Sequence, residues 1–224
     1  MVMRVDGPIV RNSLIGTEAL KRIMLEGIPF PIATNSAWLT AVTGSGAVTQ
    51  EPRYLEVASG TTTGSTARAY VTDFLLGGTN TGIDFSKRIL WGFSIRRNVS
   101  DVNIIARVQL KSATTEGALA DDGIGVRMAN LTLTGESYDT AGAFTATIQA
   151  MSTDDVYYVL VDHEPSVPRI RFYVNGVLQA TVTASANIPQ AIELSCAMIV
   201  SILNGGGTAA GLCEFGNILL YQEH

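Results

Sequence analysis

A β-protein that cleaves sugars needs two carboxylates held together, one serving as acid/base and the other as nucleophile or base. On one strand face they would sit two or four residues apart. No Glu-x-Asp, Glu-x-Glu or Asp-x-Asp occurs among the 224 residues. The adjacent pairs Asp121-Asp122 and Asp154-Asp155 stand beside turn signals (Gly123; Ser152 and Thr153) and read as solvated loops. Calcium is the one ion such loops could take, since it accepts hard oxygen ligands, but no EF-hand spacing supports it, and no cofactor is expected. A Ser-His-Asp site would have to use His163, because the other histidine, His224, is the final residue. Asp162 points to the opposite strand face from His163, and no Gly-x-Ser-x-Gly elbow is present. His163 is therefore expected to be a strand-end or loop residue without a catalytic role. The run GGGTAAG (205–211) follows an apolar stretch, but another strand-like run, LCEFGNILL, comes next instead of the helix a dinucleotide site requires. It reads as a flexible connection, and the chain as a non-enzyme.

Binding surfaces remain. Sugar-binding faces use aromatic rings, which combine apolar area with a polar edge. Trp91 is in phase with core residues, whereas Trp38, Tyr54, Tyr70 and Tyr138 are less constrained. Tyr138, in the loop-like GESYDTAG, is the leading candidate for a ligand-facing ring, with Trp38 second. The formal charge is −5, and Lys/Arg clusters never exceed pairs: Lys21-Arg22, Lys87-Arg88 and Arg96-Arg97. A nucleic-acid partner would need a concentrated basic footprint, so none is expected. No apolar run is long enough to span a bilayer, and Asp6, Gly7 and Pro8 interrupt what would be a secretory core. The sequons at Asn98 and Asn130 are discounted with that route. Cys196 and Cys213 match no disulfide or metal framework; Cys196, in phase with Ile192, Leu194 and Met198, reads as a small core residue.

The elements that must position these groups are mostly strands. With 46% hydrophobic residues, 16% charged and 22 glycines, the chain is poor in charge and rich in turn formers. From Trp38 onward, period-two runs alternate with Gly/Asn/Asp/Ser/Thr clusters, the pattern of a sandwich or barrel. Leu55 and Val57 share a face; Ile89, Trp91, Phe93 and Ile95 point inward; so do Val102, Ile104, Ala106, Val108 and Leu110, with Asn103, Arg107 and Gln109 opposite. GIGVRMANLTLTG reads as strand, kink, strand. In RIRFYVNGVLQATV a two-residue Asn175-Gly176 loop suits a type I′ turn, which sets Val174 against Val177 and Tyr173 against Leu178. Residues 1–35 differ: Thr17 caps a short helix, about 18–26, with Leu20, Ile23 and Met24 on one side and Gly27 ending it. That helix is too short to stand alone and is expected to dock, through those three residues, on a neighbouring subunit or the sheet.

The succession ILWGFSI, GIGVRM, VYYVLVDHEPSVPRIRFYVNGVLQATVT and NIPQAIELSCAMIV resembles the concanavalin A-like lectin/glucanase jelly roll, in the versions found in bacteriophage structural proteins, over residues 36–222. The resemblance implies an all-β, antiparallel two-sheet sandwich (36–224) behind an amino-terminal arm (1–35). The glucanase branch carries Glu-x-Asp-x-x-Glu, absent here, and the calcium-lectin ligands have no counterparts that can be matched, so no functional residue carries over. The leading expectation is a virion structural module, capsid decoration or tail fibre, docked on other virion proteins as a homo-oligomer and able to contact host surface glycans. The alternative is a stand-alone carbohydrate-binding lectin module; a glycan-cleaving enzyme is third.

Overall fold

The computed structural model describes residues 38–51, 54–71, 75–76, 79–80, 83–98, 101–112, 117–120, 122–193 and 197–223. Leu20, Ile23 and Met24, with the whole expected arm, lie outside the described residues, as do Cys196 and His224.

Alternation of β-branched and aromatic residues with polar ones builds two antiparallel seven-stranded sheets. The first runs β1 (Leu39–Thr43), β4 (Thr66–Val71), β17 (Ala197–Asn204), β9 (Ile104–Lys111), β10 (Gly123–Ala129), β11 (Thr132–Asp139) and β12 (Gly142–Ala150). The second runs β15 (Val177–Val182), β14 (Arg169–Val174), β13 (Val156–Glu164), β8 (Ile89–Arg97), β18 (Gly211–Gln222), β3 (Tyr54–Gly60) and β2 (Ala47–Glu51). Two small ribbons complete the described strands: β5 (Leu75–Leu76) with β6 (Thr79–Asn80), and β7 (Ile83–Asp84) with β16 (Ile192–Glu193). The architecture is a jelly-roll β-sandwich. Its only described helical element is a single 3₁₀ turn at Ser185–Asn187.

The sheets are held face to face by the inward members of each alternation. Trp91, Phe93 and Phe215 form one aromatic stack, with ring centroids 4.7 and 5.4 Å apart, and Ile104, Val108, Val126, Met198 and Val200 close over it from the first sheet. Each fully buried side chain of this size contributes roughly 1.5–3 kcal/mol, so the sandwich is held by its interior. Val102, expected to join it, is exposed in the turn before β9. Arg97 continues the inward phase of β8 and is buried; its guanidinium donates to the carbonyls of Asp101 (2.9 Å) and Ile104 (2.7 Å), tying the turn into β9.

Turn chemistry sets the register. Asn175 and Gly176 have φ of 49° and 82°, and Val174 opposes Val177 and Tyr173 opposes Leu178, as the type I′ reading requires. The expected kink at Asn130 is a second hairpin of this kind: Asn130 (φ 46°) and Leu131 (φ 53°) both sit in the left-handed region, so β10 and β11 are direct neighbours. The glycine run is anchored, not flexible. Asn204 accepts from the N–H groups of Gly206 and Gly207 and donates to the carbonyls of Gly60 and Gly207. β16 and β17, which flank residues 194–196, lie in different sheets.

Candidate functional site

The outward face of the first sheet is where the structure concentrates polar groups. Antiparallel pairing places Gln109, Gly125, Glu136 and Thr145 in one row across β9, β10, β11 and β12. The next row holds Arg68, Ser201, Arg107, Arg127, Thr134 and Thr147 across β4, β17, β9, β10, β11 and β12. On the other side lies the row Ala197, Lys111, Gly123, Tyr138 and Ala143.

Such a face ordinarily leaves charges in water. Here Arg107 keeps only 8% of its surface, Glu136 5% and Gln109 none. Two glycines on β10 let the neighbouring β9 side chains approach the β10 backbone closely. A Cβ at Gly125 would lie 2.8 Å from the Gln109 Cγ, and one at Gly123 would lie 2.9 Å from the Lys111 Cβ. Without those Cβ atoms, the β9 side chains close over the β10 backbone. The Gln109 amide faces the Glu136 carboxylate across Gly125 but makes no well-formed hydrogen bond.

The charges on this face are poorly matched. Arg107 and Arg127 stand directly opposite one another, a pairing of like charges that costs stability. Glu136 lies diagonal to both, 3.9 Å from the Arg107 Nε and 3.4 Å from the Arg127 Nε. Charges interact at this range, yet neither Nε, nor the Glu136 Oε2, is hydrogen-bonded. Burial pushes the Glu136 carboxyl above its ordinary value even though both guanidiniums pull it down. Burial also lowers the Arg107 pKa, against the pull of Glu136.

The second sheet is organised differently. Asp162 opposes Arg171 and Glu164 opposes Arg169 across β13 and β14. Asp162, 1% exposed, also accepts from Arg88 at 3.0 and 3.1 Å. This Asp-x-Glu is a pair of carboxylates two residues apart on one face, and three arginines neutralise it. Glu56 stands opposite Glu214, but Arg96 approaches Glu214 at 3.4 Å.

Of the ring candidates, Tyr138 lies in strand β11, not in a loop, half-buried on the outward face of the first sheet. Trp38 is corrected: it is 5% exposed and packs edge-on against Phe215 at 6.2 Å, so its ring belongs to the core. Asp154 and Asp155 are exposed as expected, whereas Asp122 is buried and accepts from the Thr140 N–H at 3.1 Å; Asp121 lies outside the described residues. His163 faces inward near the end of β13, its Nε2 donating to the Pro189 carbonyl at 2.9 Å and its ring edge-on to Phe85, which excludes it from surface chemistry. Cys213 is a buried free thiol beside the Met128 sulfur. No group of three or more His, Cys, Asp or Glu among the described residues is arranged to hold a metal ion. Sequence reasoning placed Arg107 and Gln109 on a common outward face but missed Lys111, Arg127 and Glu136. The signal was present in RVQLK, GVRM and TGESY, whose polar residues share the outward phase.

No family model matches the chain, and no curated protein matches it. Solved structures do match, and the three that follow share 11–14% identity with the chain. A Bacillus licheniformis β-glucanase superposes with a TM-score of 0.59 at 14% identity, covering 88% of this chain and 96% of the enzyme. A sialidase superposes at 0.55 and 11% identity, covering 82% of this chain and 17% of its own. The binding domain of botulinum neurotoxin DC, in complex with SialylT, superposes at 0.54 and 12% identity, covering 84% and 44%. The chain therefore spans less than half of the sialidase and neurotoxin chains. These neighbours are concanavalin A-like jelly rolls, and what they share with this chain is the fold.

Proposed function

We propose that the chain is a non-catalytic carbohydrate-binding module whose saccharide lies across the outward face of the first sheet, over β9, β10 and β11. One observation carries the reading. Planar hydrogen-bonding groups, Arg107, Arg127 and Glu136, stand in adjacent rows with their bonding incomplete, and the half-buried Tyr138 ring lies on the same face. Guanidinium and carboxylate groups match vicinal hydroxyls, and an amphipathic ring supplies apolar contact. Neighbours of this fold described as a β-glucanase and a sialidase support the same ligand class.

Binding without cleavage follows from the carboxylates. Glycoside hydrolysis takes two of them, and Glu136 is the only one among the described strand residues of this face. The test is a glycan array followed by titration calorimetry. Saturable binding lost in Tyr138→Ala, with the oligosaccharide recovered intact, supports the module. Release of shortened product would make it an enzyme, and the absence of any saccharide ligand would end the reading.

A virion surface is the carrier we propose for the module, on the basis of the docking helix expected around Leu20, Ile23 and Met24. Light-scattering mass of the full chain against a Leu20→Ser/Ile23→Ser variant tests it. An oligomer that dissociates in the variant supports the arm; equal masses remove it.

A further inference from the structure

At the centre of the outward face of the first sheet, Arg107 and Arg127 share the carboxylate of Glu136, the only one among the described strand residues of this face. The chain as a whole has a formal charge of −5. Two guanidiniums on one carboxylate, in a protein whose net charge is negative, are a local arrangement of the kind that draws anions. Its centre is costly in isolation. Arg107 and Arg127 are set directly opposite one another, and Arg107 is more than nine-tenths buried with its Nε lacking a hydrogen bond. A buried guanidinium is ordinarily paired, and on the second sheet of this same protein the pairing is done directly across strands, Asp162 with Arg171 and Glu164 with Arg169. The first sheet departs from that practice at one place. Departures of this kind mark functional positions.

We propose that this face selects an acidic saccharide, whose carboxylate or sulfate seats against Arg107 and Arg127. The inference rests on the carbohydrate-binding reading and narrows it to a ligand class. Two guanidiniums sharing one carboxylate leave an excess positive charge and unused N–H groups, and an oxyanion satisfies both with charge-assisted hydrogen bonds. Glu136 then acts as the group that limits affinity: it draws on the same guanidiniums the ligand needs. The exposed Thr145 and Thr147 of β12 flank the seat in the same rows and offer hydroxyls to the neutral part of the sugar.

The test measures affinity of the full chain for polygalacturonate, dextran sulfate and uncharged dextran, with a single-stranded oligonucleotide as a non-saccharide polyanion. At least one acidic polysaccharide is expected to bind about tenfold or more tighter than dextran, the effect of a single charged hydrogen bond, and to weaken as salt screens the face. The two acidic polymers separate carboxylate from sulfate. Arg127→Gln, at a half-buried position, should weaken binding about tenfold. Glu136→Gln should strengthen it, which a purely structural role for Glu136 would not produce. Arg169→Gln on the second sheet should change nothing. Equal binding of dextran overturns the inference while leaving a carbohydrate-binding module standing. Loss in Arg169→Gln equal to that in Arg127→Gln, weakening in Glu136→Gln, or oligonucleotide binding as tight as that of the acidic polysaccharides, also overturns it. Binding to none of the three polysaccharides overturns this inference, and the glycan array then decides the carbohydrate-binding reading separately.

Discussion

His163 makes the stability of this protein sensitive to mild acid. Its ring faces the interior between Phe85 and the Pro189 carbonyl. Burial depresses its pKa below the ordinary imidazole value of 6.5, against the raising effects of its backbone hydrogen bonds and of Asp162. The unfolded chain takes up the proton near pH 6.5, and the folded chain does so only at lower pH. The contribution is therefore fully present above that pH and is lost progressively as pH falls toward the depressed folded value. Between about pH 7.5 and about pH 5.5 the unfolded state gains at most RT ln(1 + 10), about 1.4 kcal/mol, the limit reached when the folded imidazole stays neutral throughout. For a chain of this size that limit lowers the melting temperature by about 3–6 °C. Glu136 and Glu56, whose pKa values are raised by burial, act in the opposite sense, so wild type alone is not diagnostic. The assay is urea unfolding of wild type and His163→Gln at both pH values. The glutamine amide can keep the donor to Pro189 but does not titrate, and the opposing carboxylates cancel in the comparison. Wild type should lose more than the variant on acidification, by up to about 1.4 kcal/mol. An equal loss in both would refute the assignment of a neutral, buried imidazole.

Gly135→Ala should lower stability by about 1–3 kcal/mol in thermal unfolding, because the added Cβ would sit 3.1 Å from three carbons of the Phe172 ring across the sandwich; an unchanged midpoint would mean that the ring yields freely. Asp162→Asn should cost about 3 kcal/mol, since it leaves Arg88 and Arg171 without the buried charge they share, and a loss below about 1 kcal/mol would place the pair in the class of hydrated surface bridges. Burial pushes the Cys213 thiol up to about 12. Peptide mapping after iodoacetamide treatment at about pH 8 should find it unmodified in native protein and modified in denaturant, where the thiol returns to about its ordinary pKa of 8.5; labelling of the native chain would contradict its burial.

How far the sequence reveals this molecule depends on the range of the interaction. Alternation in ILWGFSI is a property of a single strand, so the inward set Ile89, Trp91, Phe93 and Ile95 was legible, and so was the Val174–Val177 register, which a two-residue turn dictates. The hairpin at Asn130 was not, because its second residue is Leu131, and a leucine in the left-handed region carries no turn signal. Trp38 looked available because it precedes the first alternating run, yet the pairing of strands brings Phe215 beneath it. The cluster of Arg107, Arg127 and Glu136 was hidden for the same reason. Each is an ordinary outward residue of its own strand, and only the order β9, β10, β11 shows that two arginines oppose each other. Gly123 and Gly125 likewise gain meaning only when Gln109 and Lys111 are seen to close over them.

The place of β18 bears on how the protein is made. This strand, Gly211–Gln222, lies between β8 and β3 and is paired to both, although each of its partners is more than a hundred residues earlier in the chain. Until it arrives, β3 and β8 each present an open backbone edge of the sort that recruits other chains. The second sheet closes last, through its longest-range contacts, and such topologies fold slowly. A nascent chain that stalls before Gly211 would carry two unpaired strand edges together with an uncovered aromatic layer. That makes the interval before residues 211–222 emerge the period of greatest exposure to aggregation and to capture by chaperones.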